Sequence, residues 1–225
     1  MSLPRILLYF VLFLTGLLFL LLWAGDPPEQ PVQSWPWQIE TLPGGKSRVF
    51  GLTLPESTLE QATERFRDLP EVAVFRSFAG NYSLEAFYKL VVLAGLKAKV
   101  VLRLEPADVE LEALFTESAK VRPQKSGELR AMLNRGQTEA LAAAPISSLT
   151  YLPATRLDAA TIRTRFGEPA RKIEQTETRS HWLYPEKGLV ITLDDKEKEV
   201  LQYVAPQEFE ALRESVEQGV KQTDR

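Results

Sequence analysis

Thirty carboxylates, one imidazole and no thiol set the chemical limits of this 225-residue chain. The single histidine, His181, is the one side chain whose ordinary pKa suits proton transfer near neutrality. It stands next to Trp182 on a strand-like segment, so the two should point to opposite faces. No serine or carboxylate stands at a recognisable catalytic spacing from it, and a structural or surface role is expected. The run Asp194-Asp195-Lys196-Glu197 gathers carboxylates. It lacks the alternating ligand ladder and the glycine of a calcium loop, and reads as a solvated hairpin turn. Gly44-Gly45 has no phosphate-binding context. Without cysteine, thiol chemistry, disulfides, structural zinc and lipid attachment at sulfur all fall away. No catalytic residue, metal ligand or cofactor is assigned, and an enzyme is not expected.

The aromatic side chains are the other candidates. Phe75, Phe78, Tyr82, Phe87 and Tyr88 crowd one stretch, and Trp182 and Tyr184 occupy a later one. An aromatic on an uncovered sheet face is a good anchor for a protein partner. Tyr82, Tyr88, Trp182 and Tyr184 are chosen because a polar tip tolerates a wet rim, with Arg76 and Arg179 as charged rim contacts. Core packing is the competing reading for each aromatic, and plain surface charge for the two arginines. The composition is 44% apolar and 25% charged with net charge −3. That balance excludes a disordered chain and a polytopic membrane protein. It offers no basic excess for nucleic acid.

The elements that must position these residues follow an apolar leader. Ile6 to Trp23 carries no charge, and with its neighbours it rises about 27–30 Å as a helix, the thickness of a bilayer's hydrocarbon core. The run exceeds a signal-peptide core, and Leu22-Trp23-Ala24 is a poor cleavage site. A retained transmembrane anchor over residues 1–24 is expected, with a cleaved signal as the alternative. Arg5 precedes the run and no base follows until Lys46. The amino terminus should therefore stay cytoplasmic, with the remainder periplasmic and the chain a single-pass protein of a bacterial inner membrane. Residues 25–46 read as a proline-rich spacer. In it Trp35 and Trp37 flank Pro36, either to pack on the folded part or to dock a partner.

An internal repeat organises the rest. Arg65-Phe66 answers Arg165-Phe166, Lys89-Leu-Val-Val-Leu answers Gly188-Leu-Val-Ile-Thr, and Lys99-Val-Val-Leu answers Lys198-Glu-Val-Leu, at an offset of about 100 residues. Pro106 and Pro206 open matching final helices. Two copies are expected, 47–120 and 146–220, joined by a connector at 121–145 and followed by a tail at 221–225. Each should run strand, helix, three strands, helix. Ser57 and Glu60 mark a capping box before the first helix. Asp158 caps its counterpart, and Gly167 and Pro169 stop it. The expected class is α+β: an N-terminal transmembrane helix, then two tandem helix-plus-antiparallel-sheet modules.

Residues 157–204 carry a helix ending in Phe166-Gly167-x-Pro169, then Trp182-x-Tyr184, then Gly188-Leu189 leading into a strand over a charged turn. This pattern resembles the BamE (SmpA/OmlA) superfamily, and the tandem arrangement is similar to the β-lactamase inhibitory proteins. The resemblance covers about 50 residues, and the first copy lacks the Phe-Gly-x-Pro element. It implies a non-catalytic adaptor or inhibitor-like module outside the cytoplasm. The lipoprotein members' cysteine is missing here, which implies a proteinaceous anchor instead. The expected function is thus a membrane-anchored periplasmic protein-binding module serving envelope assembly or maintenance. An envelope hydrolase using paired carboxylates and a small-molecule or lipid carrier are the alternatives.

Overall fold

The computed structural model describes residues 35–223 with the exception of residue 125. A three-stranded antiparallel meander comes first: β1 (Glu40–Leu42), β2 (Lys46–Val49) and β3 (Leu52–Leu54). Helix α1 (Leu59–Phe66) follows. Its capping box lies one residue beyond the expected one. Thr58 Oγ1 accepts from the Gln61 N–H at 3.4 Å, and Gln61 Oε1 accepts from the Thr58 N–H at 3.2 Å. The Ser57 hydroxyl is already engaged, accepting from the Thr53 N–H at 3.0 Å to close the preceding turn.

Three long strands follow, β4 (Glu71–Arg76), β5 (Tyr82–Leu93) and β6 (Leu96–Leu104). The stretch between the two halves is itself structured as α2 (Leu111–Glu117), β7 (Val121–Pro123), β8 (Leu129–Met132) and α3 (Arg135–Ala140). The second half comprises β9 (Ile146–Pro153), α4 (Ala159–Phe166), β10 (Arg171–Glu174), β11 (Arg179–Tyr184), β12 (Leu189–Asp194), β13 (Val200–Val204) and α5 (Phe209–Thr223). Asp158 caps α4 by accepting from the Thr161 N–H at 2.7 Å.

These elements correct the expected architecture. The chain is mixed α+β, but its ten remaining strands make one open sheet, ordered β10-β11-β12-β13-β9-β6-β5-β4-β8-β7. The two modules do not keep separate sheets. β9 is the joint: Tyr151 is registered against Val100 of β6 on one side and Leu201 of β13 on the other. The halves also differ in strand number. β5 runs unbroken for 12 residues with one bulge between Tyr88 and Val91. The matching stretch of the second half is a hairpin, β11 against β12. Pro185 opens a 3-10 turn there, and Gly188 at φ +60° closes it. A Cβ at Gly188 would lie 2.1 Å from the Val204 carbonyl oxygen, so only glycine fits this reversal.

The two sheet faces are covered differently. On one face Val74, Leu84, Tyr88, Leu102, Tyr151, Tyr203, Ile191 and Trp182 form the main core, with the apolar sides of α1, α2 and α4 and the meander packed over it. Phe50 of the meander stacks on Tyr151 at 5.0 Å, Phe66 meets Tyr88 edge-on at 4.9 Å, and Phe166 lies 6.3 Å from Tyr184. On the opposite face α5 lays Phe209, Leu212 and Val216 against Leu183, Val190 and Val204. That second cluster stays at the β10–β13 end of the sheet.

The expected anchor, residues 1–24, lies outside the described residues. Among the described residues no helix is long and apolar enough to cross a membrane. The longest, α5, has 15 residues and one apolar stripe, which it spends on the sheet. The transmembrane helix, the single-pass inner-membrane topology with a periplasmic domain, and the membrane as partner are corrected accordingly. The described chain is an α+β domain without a spanning element.

Candidate functional site

The face that α5 leaves uncovered is built by simple alternation. In β4 and β5, Val74, Leu84, Ala86 and Tyr88 turn to the main core, so Phe75, Ser83, Glu85 and Phe87 must point the other way. Pairing aligns them. Phe75 is registered with Ser83 and Arg130, Glu85 with Ala73 and Arg103, and Phe87 with Glu71 and Val101. Phe75, Glu85, Phe87, Val101 and Arg130 are all half-buried. They border a shallow recess of about 240 Å3, whose rim also holds Glu71 and Gln124. A second recess of about 530 Å3 shares Glu71, Gln124 and Arg130 and continues round the β8 edge past Lys120 and Arg122.

The charges here are unevenly matched. Arg130 pairs with Glu71 at 3.2 Å and rides over the Phe75 ring at 5.8 Å from its centroid, while its buried Nε has no hydrogen-bond partner. Arg103 pairs with Glu105 at 3.1 Å. Both nearby guanidiniums are therefore committed elsewhere. Among the described residues no hydrogen bond or ion pair reaches the Glu85 carboxylate. Burial, more than anything else, pushes its pKa up; Glu128 adds to the rise, and Arg103 and Arg130 oppose it. A half-buried carboxylate with no ion pair or hydrogen bond of its own over an aromatic floor is costly by itself and favourable to a guest that neutralises it.

The residues chosen from sequence lie elsewhere. Tyr88 is wholly buried and its hydroxyl is 3.0 Å from Thr63 Oγ1. Trp182 and Tyr184 are 4% and 5% exposed and lie beneath α4. The Trp182 ring has Arg163 at 5.0 Å and Lys172 at 4.2 Å, and Tyr184 donates to the Gly167 carbonyl at 3.1 Å. Burial drives the Tyr88 and Tyr184 hydroxyls up to about 12. Tyr82 is half-buried against Phe115 at 5.5 Å and donates to Glu112 at 3.4 Å, with Arg76 over its ring at 6.0 Å. Arg179 is pinned by Asp194 at 2.7 Å and Glu197 at 2.9 Å. The six therefore occupy no common surface. Phe78 sits 85% exposed at the β4–β5 turn, its ring pressed against Gly127. Trp37 packs on the fold, 6.4 Å from Phe166.

Glu85, Arg130, Glu71 and Val101 were missed. The alternation Ser83-Glu85-Phe87 against Leu84-Ala86-Tyr88 was readable and would have set the facing. The commitment of both arginines was not, since Arg130 reaches Glu71 only through the β4–β8 pairing.

A carboxylate-rich recess also exists near the start of α4, lined by Asp158, Asp194, Glu199 and Trp182. Three of its acids are spent on the backbone. Asp158 caps α4, Glu199 accepts from the Leu157 N–H at 3.0 Å, and Asp194 accepts from Lys196 N–H at 2.8 Å and Glu197 N–H at 3.2 Å. Backbone hydrogen bonds and, for Asp194, Arg179 hold the Asp158 and Asp194 pKa values below the ordinary range. These three carboxylates secure a turn and a helix end rather than a catalytic pair; the membrane-tethered adaptor is corrected, since among the described residues no helix is long and apolar enough to cross a membrane. His181, the lone imidazole, is buried with Nδ1 2.9 Å from Thr192 Oγ1 and Nε2 2.9 Å from Gln175 Oε1. Among the described residues no group of acids and imidazole is placed to hold a metal ion. No protein family, curated protein or solved structure matches the chain.

Proposed function

We propose that the domain is a non-enzymatic recognition module whose working surface is the open face of β4, β5, β6 and β8. The carrying observation is Glu85, a half-buried carboxylate with no ion pair or hydrogen bond among the described residues, over Phe75, Phe87 and Val101 on a stretch of that face that α5 does not cover. The other half of the same face is closed by α5, so exposure here is not a general property of the sheet. Kinship with the BamE superfamily belongs to the same proposal. Its motif residues serve packing: Phe166 meets Tyr184, Tyr184 holds the Gly167 carbonyl, and Gly188 lets the chain pass Val204.

The test is a screen of small organic fragments against the isotope-labelled full chain, read by backbone amide shifts. Saturable shifts should cluster on residues 71–76, 83–87, 99–103 and 128–132. Binding that clusters on the α5 side or near Asp194 instead, or none at all, refutes the reading.

A further inference from the structure

Resting on that reading, we infer that the open-face recess takes a small organic ammonium ion. The charge comes first. Glu71 and Glu85 face Arg130 on the recess, and Arg130 is already bonded to Glu71, which leaves Glu85 as the unmatched group. Arg103, directly across the strand from Glu85, is turned to Glu105. A guest anion would meet a carboxylate that Arg103 and Arg130 offset without an ion pair; a guest cation could pair with it directly.

The aromatic floor selects among cations. Arg130 holds the Phe75 ring, whereas among the described residues no cation lies over Phe87, which stands one residue pair along β5 from Glu85. A cation over an aromatic face gains most when it sheds its water. Hydrated metal ions give up water only to several oxygen ligands, and one carboxylate above phenylalanine and valine does not supply them. An alkylammonium group brings its own apolar body for Phe87 and Val101 and a donor for Glu85. Size points the same way. At about 240 Å3 the recess falls below the range typical of drug-sized ligands, and suits a guest of a few carbons bound with a dissociation constant on the order of millimolar.

The experiment compares n-butylammonium chloride with its neutral counterpart 1-butanol, and with potassium chloride at matched ionic strength, by amide shifts of the full chain. n-Butylammonium should shift β4–β6 saturably and bind about tenfold more tightly than 1-butanol. Glu85→Gln should remove the preference, bringing the ammonium down to the level of 1-butanol in the same variant. Equal binding of the two guests by the unaltered chain overturns the ammonium assignment and leaves the recognition surface standing; this arm needs no variant. Equal shifts from potassium chloride overturn the assignment as simple screening. Tighter binding by a lysine-containing tripeptide than by n-butylammonium also overturns it, naming a peptide as occupant. Absence of binding by every probe removes the recognition surface as well.

Discussion

Replacing Trp182 by alanine separates the two faces of the sheet energetically. The indole is 4% exposed beneath α4, with Arg163 5.0 Å and Lys172 4.2 Å from its ring. Truncating a buried tryptophan costs about 3–5 kcal/mol through lost transfer energy and the cavity left behind. Each cation–π contact adds about 0.5–1 kcal/mol at a partly exposed cation. Phe87 lies on the open face and is only half-buried, so Phe87→Ala should cost about 1 kcal/mol. For a chain of this size each kcal/mol moves the melting temperature by about 2–4 °C. Trp182→Ala should therefore lower Tm by roughly 10 °C or more, and Phe87→Ala by a few degrees. Urea denaturation of the full chain, followed by circular dichroism, gives both free energies. Equal and small losses would refute the assignment of Trp182 to the covered face, and with it the register that puts Glu85 and Phe87 on the open one.

Two further outcomes follow from single residues. Burial first, and Arg179 second, hold the His181 pKa below its ordinary value. The unfolded imidazole titrates near about 6.5, so the unfolded chain binds the proton more readily. Stability is intact above that pH and declines as pH falls below it toward the folded value. The urea midpoint should drop between pH 7.5 and 5, and His181→Gln should flatten that slope; an unchanged slope in the variant contradicts the linkage. Gly188→Ala combines φ +60° with a Cβ 2.1 Å from the Val204 carbonyl oxygen. It should cost at least about 1–3 kcal/mol from backbone strain alone, measured by the same denaturation; a neutral result would show that the β12–β13 end relaxes freely.

Local signals in the sequence were the legible ones. The helix stripe Leu59-Ala62-Phe66-Leu69 holds as far as Phe66, where α1 ends, and leaves Leu69 exposed, while the stop at Gly167 corresponds to the end of α4. The 100-residue spacing is visible as two eight-residue helices at 59–66 and 159–166. The aromatics were chosen by their polar tips with the exposed sheet face left open, and the structure buries Tyr88, Trp182 and Tyr184. A hydroxyl on Tyr88 or Tyr184 suggested a wet environment, yet each finds an internal acceptor or partner in Thr63 or the Gly167 carbonyl, and so tolerates burial. Glu85 was out of reach because its significance depends on two arginines being engaged by Glu71 and Glu105.

The joining of the halves accounts for both the corrected architecture and the location of the recess. A pair of self-contained modules would each need two sheet edges protected from mispairing. Here β9 removes two of those edges at once by pairing with β6 and β13, and its Tyr151 carries the Phe50 ring of the meander at 5.0 Å. The residues between the halves then supply β7 and β8, which extend the outer edge beyond β4 and bring Arg130 across from Phe75. Among the described residues helix cover on the second face comes from the C-terminal α5, which packs on β10–β13. The corresponding α2 instead packs Phe115 on Tyr82 in the main core. The second half thus closes its back with a helix and the first keeps it open, and the open back is where Glu85 stands.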